Sequence, residues 1–489
     1  MSEQILVQGK LLGIDAFLAS PTDTNQSAAD VLAARSLWLT LVCEVVPRAL
    51  LEELELARLL LGSSGGGQFL LVLPDTHRAP AEDFLRSVGA RISALTANTI
   101  QLIWSITENL GDWTVVRKRL NDGLDAHRNT PLAQMAAADV FAPFTPAGEQ
   151  ADSPFTPEFG QALRDAAGIG WSMDVDTMIS LAPGKHNWNL TPNLSLDGIA
   201  IARHAAPGED GRPSASTADL AARSHGRPLW GVLRGDVDHF AVRLRRVQSI
   251  EEHVQLSMLY KQFFAGELEV LCSMPEFWRK VTILYSGGND FAVYGSWDAL
   301  IPLARELQRM FQRFTEENLK DFPGAEAKTI TMACTLAESA DATLAAVYRQ
   351  CGADLALAKA ADKDCIFVMD RVLEWKQLGD AAELKEAVER IEEEFRGGKQ
   401  FLAEVLDLYV KVSSPLQKDQ EKLLRRAYRF QRKYSTASKS GREREFQKLK
   451  THLIKEIVGR NVKPTRGKQL KLRPAGVVAL EWARLAQEV

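Results

Sequence analysis

"LYSGGNDFAVYG", residues 284–295, reads as a strand, a tight Gly-Gly turn and a second strand, with Leu, aromatic and β-branched residues on either side. Asn289 and Asp290 stand just past the turn glycines Gly287 and Gly288. The stretch has a counterpart: "SGGGQF" (Ser64 to Phe69) lies over "SGGNDF" (Ser286 to Phe291) at an offset of 222 residues. The same offset lays "GKLLG" (Gly9 to Gly13) over "GVLRG" (Gly231 to Gly235) without a gap. Two segments sharing one offset predict that the chain builds the same fold twice.

After the second hairpin come an amphipathic helix, "WDALIPLARELQRMFQRFTEENL", a strand, "KTITMACTLA", a further helix, "ATLAAVYRQCGADLALAKAADKD", and a closing strand, "CIFVMD". That order is ferredoxin-like, the pattern of a palm domain. The stretch 136–228, with "AAPGEDGRPSAS", is rich in Ala, Pro, Gly, Ser and Asp and reads as a connector. From Trp375 onward nearly every segment is helix-forming. The fold class expected is therefore α+β. Two ferredoxin-like palm domains span 1–135 and 229–373, joined by an α-helical connector at 136–228 and followed by a basic helical bundle at 374–489.

Composition narrows the setting. The 489 residues contain no apolar run long enough for a membrane span, and "MSEQILVQGKLLGID" is not a secretory signal. Five scattered cysteines without a CxxC argue against a disulfide framework or a zinc knuckle and for buried free thiols, so no zinc is expected and a cytoplasmic setting is. Net charge is −4, yet Lys411 to Arg473 holds 20 Lys and Arg against 5 Asp and Glu. The rest of the chain is correspondingly acidic. The basic stretch is either a solvated helical face or a surface for an anionic partner, with Arg425, Arg426, Arg429, Arg432 and Lys433 as candidate contacts to RNA or protein.

Nucleotidyl transfer on a palm needs acids on adjacent strands to hold divalent metal. "RGDVDHF" supplies Asp236 and Asp238, two apart and so on one face of a regular strand, and the hairpin supplies Asp290. The candidate metal ligands are Asp236, Asp238 and Asp290. The candidate catalytic residues are Asp290, Asp236 and a degenerate Asn289. The Gly-Gly turn lets backbone amides approach phosphate, and Lys359 and Lys363, four apart, would share a helical face that reaches a triphosphate. At the offset of 222, Asp236 falls on Ile14, Asp238 on Ala16, Asn289 on Gly67 and Asp290 on Gln68, so the first copy has no acid. An amide at 289 can ligate magnesium but brings no charge, which weakens a metal pair by on the order of a few kcal/mol. The second site therefore reads as weakened, not erased. Asp beside a Gly turn is also ordinary turn chemistry, and that reading stays open.

These residues resemble the large, polymerase/cyclase-like subunit of type III CRISPR effector complexes. The likeness is carried by "SGGGQFLLVLP", "LRGDVDHF", "LYSGGNDFAVYGSWDALIPLARELQRMF", "ADLALAKAADKDCIFV" and "GKQFLAEVLDLYVKV". It implies a subunit at the 5′ end of a guide RNA that senses target RNA and contacts neighbouring RNA-binding and small helical subunits, with no membrane. It implies ATP and Mg2+ or Mn2+ if the second palm is active, joining ATP into cyclic oligoadenylate. By the same match Ser286, Gly287 and Gly288 line one nucleotide, Ser64, Gly65, Gly66 and Gly67 the other, and Lys359 and Lys363 the phosphates. The sequence departs from the family pattern in three ways: none of its eight His is followed by Asp, as an HD nuclease would require, the four-cysteine zinc site is missing, and the hairpin is GGND, not a double acid. Three functions follow for comparison: an effector scaffold with a weakened or lost cyclase, a live target-stimulated synthetase, and a stand-alone GGDEF-like cyclase.

Overall fold

The computed structural model describes residues 3–20, 28–134, 154–182, 186–191, 198–209, 212–339, 342–395, 448 and 474–487. The chain divides into two compact units, one of 1–223 with 229–355, the other of 224–228 with 356–489.

The first unit holds both palm sheets. The earlier palm runs β1 (Gln4–Leu12), α1 (Ile14–Leu18), α2 (Ala28–Glu53), β2 (Leu61–Gly65), β3 (Gln68–Pro74), α3 (Arg78–Leu95), β4 (Gln101–Glu108) and α4 (Trp113–Gln134), with strand order β2-β3-β1-β4. A connector follows, with α5 (Pro157–Asp165), β5 (Gly168–Trp171), β6 (Ile179–Ser180), β7 (His186–Thr191), β8 (Gly198–Ala200) and α6 (Thr217–Ala222). The later palm runs β9 (Trp230–Val237), α7 (Phe240–Arg246), α8 (Ile250–Gln262), a single π turn, α9 (Leu268–Cys272), β10 (Val281–Ser286), β11 (Asp290–Ser296), α10 (Trp297–Asn318), β12 (Ile330–Leu336) and α11 (Leu344–Ala361). Its strands lie in the order β10-β11-β9-β12, the same antiparallel arrangement as the first palm.

The register of the strands corrects the offset read from the sequence. Phe69 pairs with Gly9 in the first palm, and Phe291 pairs with Gly235 in the second. Each ring lies across its glycine: a Cβ on Gly9 would sit 2.1 Å from Phe69 Cζ, and one on Gly235 would sit 2.3 Å from Phe291 Cε1. The hairpins keep the offset of 222, but Gly9 matches Gly235, because the chain between first strand and hairpin is four residues shorter in the second copy. The positions facing each other as Asp236 and Asp290 do are Lys10 and Gln68, not Ile14 and Gln68. The first palm still lacks an acid there.

The described part of the connector is not helical alone, as expected, but carries a sheet beside α5 and α6. Its four strands form a mixed sheet in the order β6-β5-β7-β8, and β7, "HNWNLT", alternates buried and exposed residues, the period of a half-buried strand. The Pro, Gly and Ser around it hid that short alternation. Helix α2 shows the opposite pattern. From Leu37 to Leu51 all residues but Thr40 are buried, because the helix packs against β2 and β3 of its own palm, β10 of the other palm and α5. The hydroxyl of Ser36 donates to the carbonyl of Leu284, tying α2 to the second palm's hairpin.

The second unit contains the hairpin β13 (Cys365–Val368) and β14 (Arg371–Glu374), with α12 (Trp375–Phe395) packed on α13 (Pro474–Gln487). Those two helices are what the described residues contain of the expected bundle. Arg425, Arg426, Arg429, Arg432 and Lys433 lie outside the described residues. All five cysteines are buried and free, and no helix among the described residues is long and apolar enough to cross a membrane.

The ring-over-glycine pairing yields a test. Gly235→Ala drives a methyl into Phe291, which is buried on all sides, and is expected to cost about 1–3 kcal/mol. Denaturant unfolding of the two chains measures it, and an unchanged midpoint would refute the packing.

Candidate functional site

The antiparallel register of β9 and β11 sets Asp290 directly opposite Asp236, with Thr331 of β12 on the other side of Asp236. Asp290 Oδ1 accepts the Tyr285 hydroxyl at 2.8 Å. Gly287 is required here by space: a Cβ would sit 2.1 Å from Asp290 Oδ1 and 2.2 Å from Tyr285 Oη. Burial, then the charge of Asp236, push the Asp290 carboxyl up to about 7, against the Tyr285 hydroxyl and the Arg234 guanidinium, which favour its charged form. Two carboxylates in register, one pushed toward neutrality by burial and then by the other, are a donor pair that could hold a divalent cation. No cluster of three or more His, Cys, Asp or Glu suited to a metal occurs among the described residues, so the fit rests on this pair and neighbouring oxygens.

One expectation changes in part. The pairing of β9 with β12 runs on past Val237, Asp238 N donating to the Thr329 carbonyl, so the two-residue period does carry Asp238 onto the face of Asp236. Asp238 is 1% exposed, and its oxygens accept the hydroxyls of Thr331 at 2.7 Å and Thr329 at 2.9 Å. It braces β9 against β12, where a metal ligand was expected. Asn289 precedes β11. Its side-chain amide nitrogen donates to Asp236 Oδ1 at 3.5 Å, and its main-chain carbonyl accepts from Val237 N.

The hairpin of the first palm faces the hairpin of the second. A Cβ on Gly66 would lie 3.0 Å from Gly288 N, and Gly65 to Gly67 all have positive φ, so the approach is backbone to backbone. Ser64 and Ser286, matched by the repeat, are held differently. Ser286 Oγ donates to the carbonyl of Phe264, in the π turn, at 2.6 Å. Ser64 Oγ donates to Glu44 Oε2 at 2.7 Å and accepts from Lys261 and Arg48. Glu44 and Arg48 are on α2, and Lys261 comes from α8 of the other palm, 2.5 Å from Glu44. Burial alone would raise the Glu44 carboxyl, but the two cations outweigh it and hold it below the usual range. Burial lowers Lys261.

Sequence reasoning missed Glu44, Arg48 and Lys261. The signal was present: a Glu and an Arg four apart in the otherwise apolar "LWLTLVCEVVPRALL". It also missed Asp15, which bonds Arg234 at 3.1 Å and the Tyr348 hydroxyl at 3.2 Å, while Arg234 stacks on the Tyr348 ring at 4.1 Å. These contacts tie α1 of the first palm to the strand that carries Asp236. Lys359 ends up in the last turn of α11, but the helix stops at Ala361 and Lys363 takes φ 59, so the two do not share a helical face. Both belong to the second unit.

Comparison with known proteins follows the two palms. Residues 229–367 match the family model "Cas10/Cmr2, second palm domain", and residues 3–109 match "Csm1 subunit domain B". The chain belongs to the Cas10/Csm1 family. Among curated Cas10/Csm1 members, both named CRISPR system single-strand-specific deoxyribonuclease (subtype III-A), that of Enterococcus italicus is 26% identical over 197 residues, 38% of this chain and 24% of the relative. That of Mycobacterium tuberculosis is 28% identical over 120 residues, 21% of this chain and 15% of the relative. The matched part is thus at most about a quarter of those relatives' length. The fold is like that of Csm1 from T. onnurineus, with TM-score 0.73 at 16% identity, covering 100% of this chain and 70% of that one. A Csm1 in a Csm1–Csm4 cassette with cA3 gives TM-score 0.71 at 17% identity, with 99% and 70% covered.

The Asp290 environment predicts a pH dependence. The carboxyl titrates near 7 in the folded chain and at its ordinary value, 3.8, when unfolded. The folded state binds the extra proton between those values, so the metal-free chain keeps this stability below about pH 4 and loses it as pH rises through 7. Asp290→Asn is expected to raise the thermal midpoint at pH 8 and leave it unchanged at pH 4. An equal shift at both pH values would contradict the assignment.

Proposed function

We propose that this Cas10-family chain is the large subunit of a type III-A CRISPR effector, which anchors the guide-RNA 5′ region and neighbouring subunits, responds to target RNA, and holds nucleotides between its palms with a weakened nucleotidyl-cyclase site. The observation that carries the reading is the apposition of two Gly-Gly hairpins, only one of them backed by a pair of acids. Structures of similar fold support the ligand class, since they are Csm1–Csm4 cassettes with cA3, cA4 and AMPPNP. ATP, guide and target RNA and a Csm4-like subunit are the proposed partners on that basis.

Asp236 and Asp290 would hold Mg2+ or Mn2+, which when bound lowers the pKa of an attacking hydroxyl and screens phosphate charge. The chain's own residues do the rest. Glycine amides at 65–67 and 287–288 are placed to approach phosphate closely, while the Ser64 and Ser286 hydroxyls, donated to Glu44 and to the Phe264 carbonyl, hold the two hairpins in place. Asp290 must give up its proton to bind the cation, and Arg234 favours that form. Asn289 supplies no charge, which is the ground for a weakened site. The sequence has no His-Asp pair, so the deoxyribonuclease activity in the relatives' names is not extended to it. A stand-alone cyclase is disfavoured by the additional first palm, which lacks the acid pair.

The assembled complex with ATP, cognate RNA and Mg2+ or Mn2+ decides between a scaffold and a synthetase. Asn289→Asp restores a charge and is expected to raise oligoadenylate yield at limiting Mg2+ by about tenfold or more. Asp290→Ala is expected to abolish it. Wild-type yield unaffected by either change would overturn the site.

A further inference from the structure

Arg234 stands two residues before Asp236 on β9, so both side chains leave the same face of the strand. Its cross-strand neighbours are alanines, Ala292 on β11 and Ala333 on β12. On α11, a Cβ on Gly352 would sit 2.6 Å from Arg234 Nη1. Small residues on three elements thus clear room for one guanidinium on the face that carries the acid pair. There Arg234 turns toward the first palm. Its Nη2 donates to Asp15 Oδ1 at 3.1 Å, its Nη1 donates to the Tyr348 carbonyl at 3.4 Å, and it stacks on the Tyr348 ring. The Tyr348 hydroxyl bonds the same oxygen of Asp15. Asp15 is 77% exposed on the five-residue helix α1, and an ion pair with so exposed a carboxylate contributes little to stability.

We infer that Asp15 is a positioning residue for the acid pair: by holding Arg234 toward the first palm, it keeps the guanidinium off Asp236 and Asp290 and leaves their oxygens to a divalent cation. This rests on the cation site proposed for Asp236 and Asp290 and adds to it an acid from the other palm. An arginine with no other charged partner is the counter-ion of carboxylates on its own sheet face, because its fork of N–H donors matches them and charge-assisted bonds are the strong ones. Asp290 already feels the charge of Arg234. Without Asp15, what holds the guanidinium back is a ring face and a neutral carbonyl, which two carboxylates outweigh. Arg234 would then sit on the oxygens that a metal ion needs. Cation uptake by the second palm therefore depends on α1 of the first, whose Asp15 supplies the competing charge.

Mn2+ binding to the full chain without nucleotide, read from the free-ion signal in electron paramagnetic resonance, tests this. Asp15→Asn keeps the shape of the side chain and removes its charge. It is expected to weaken Mn2+ binding at least about tenfold, as Arg234 turns onto the acids. In an Arg234→Met background the same change is expected to cost no more than about twofold, the screened effect of the lost charge alone. An equal loss in both backgrounds, or no loss in either, overturns the inference while leaving the cation site standing. Asp290→Ala is the control for that site: wild-type binding that is absent, or that survives this change undiminished, removes the cation site and the inference with it. Asp15 is exposed, so its variant keeps the fold, and Arg234→Gln takes the place of Arg234→Met should the latter not fold.

Discussion

Lys261 reaches from the second palm into the first and places its ammonium on Glu44, with Arg48 and Ser64 completing the cluster. Both ends of the bond are buried, so it is the costliest contact in the interface to leave half-made. Removing one partner of such a pair typically costs about 3–5 kcal/mol, because the other charge is stranded. Apolar packing along α2 brings the palms together without fixing their register, since it is non-directional. The ion cluster is directional. It fixes Ser64, hence the hairpin that follows it, and hence the contact of Gly66 with Gly288.

The cluster also makes the two halves of the cleft electrostatically unlike. On the side of the first palm, two cations face one carboxylate. On the side of the second, Asp236, Asp290 and Asp15 face Arg234. One fold used twice thus gives one half-site short of negative charge and one short of positive charge. A phosphate-bearing ligand with a divalent cation supplies both. The matched serines show the difference locally, Ser64 held by ions and Ser286 by a carbonyl of the π turn.

Much of this was legible in the sequence. The paired Gly-Gly hairpins and the order of the palm elements follow from local pattern, because turn glycines and strand alternation are local physics, and the partnership of Asp236 with Asp290 follows once the palm order sets β9 beside β11. What was misread depended on where elements stop. Lys363 was assigned a helical face two residues past the end of the helix. The repeat was aligned on Gly9 and Gly231, when the ring of Phe69 selects Gly235 as the equivalent of Gly9. The Glu44–Lys261 bond was beyond reach for a different reason, since its partners are 217 residues apart and no local rule pairs them.

Asn289 takes on a second meaning in this setting. With an acid at that position, three carboxylates would converge on the hairpin in the metal-free chain, with Asp15 adding its charge from the first palm. Asp290 is already driven to about 7 by burial and Asp236. A further negative charge would push it higher and oppose closure of the turn until a cation arrived. The amide removes that charge and donates a hydrogen bond to Asp236 in its place. An amide at 289 brings no charge to a cation and, by the same electrostatics, lets the hairpin hold its shape without one. A palm whose main task is to hold two hairpins against each other is served by that exchange, whereas one that must turn over ATP is served by the acid.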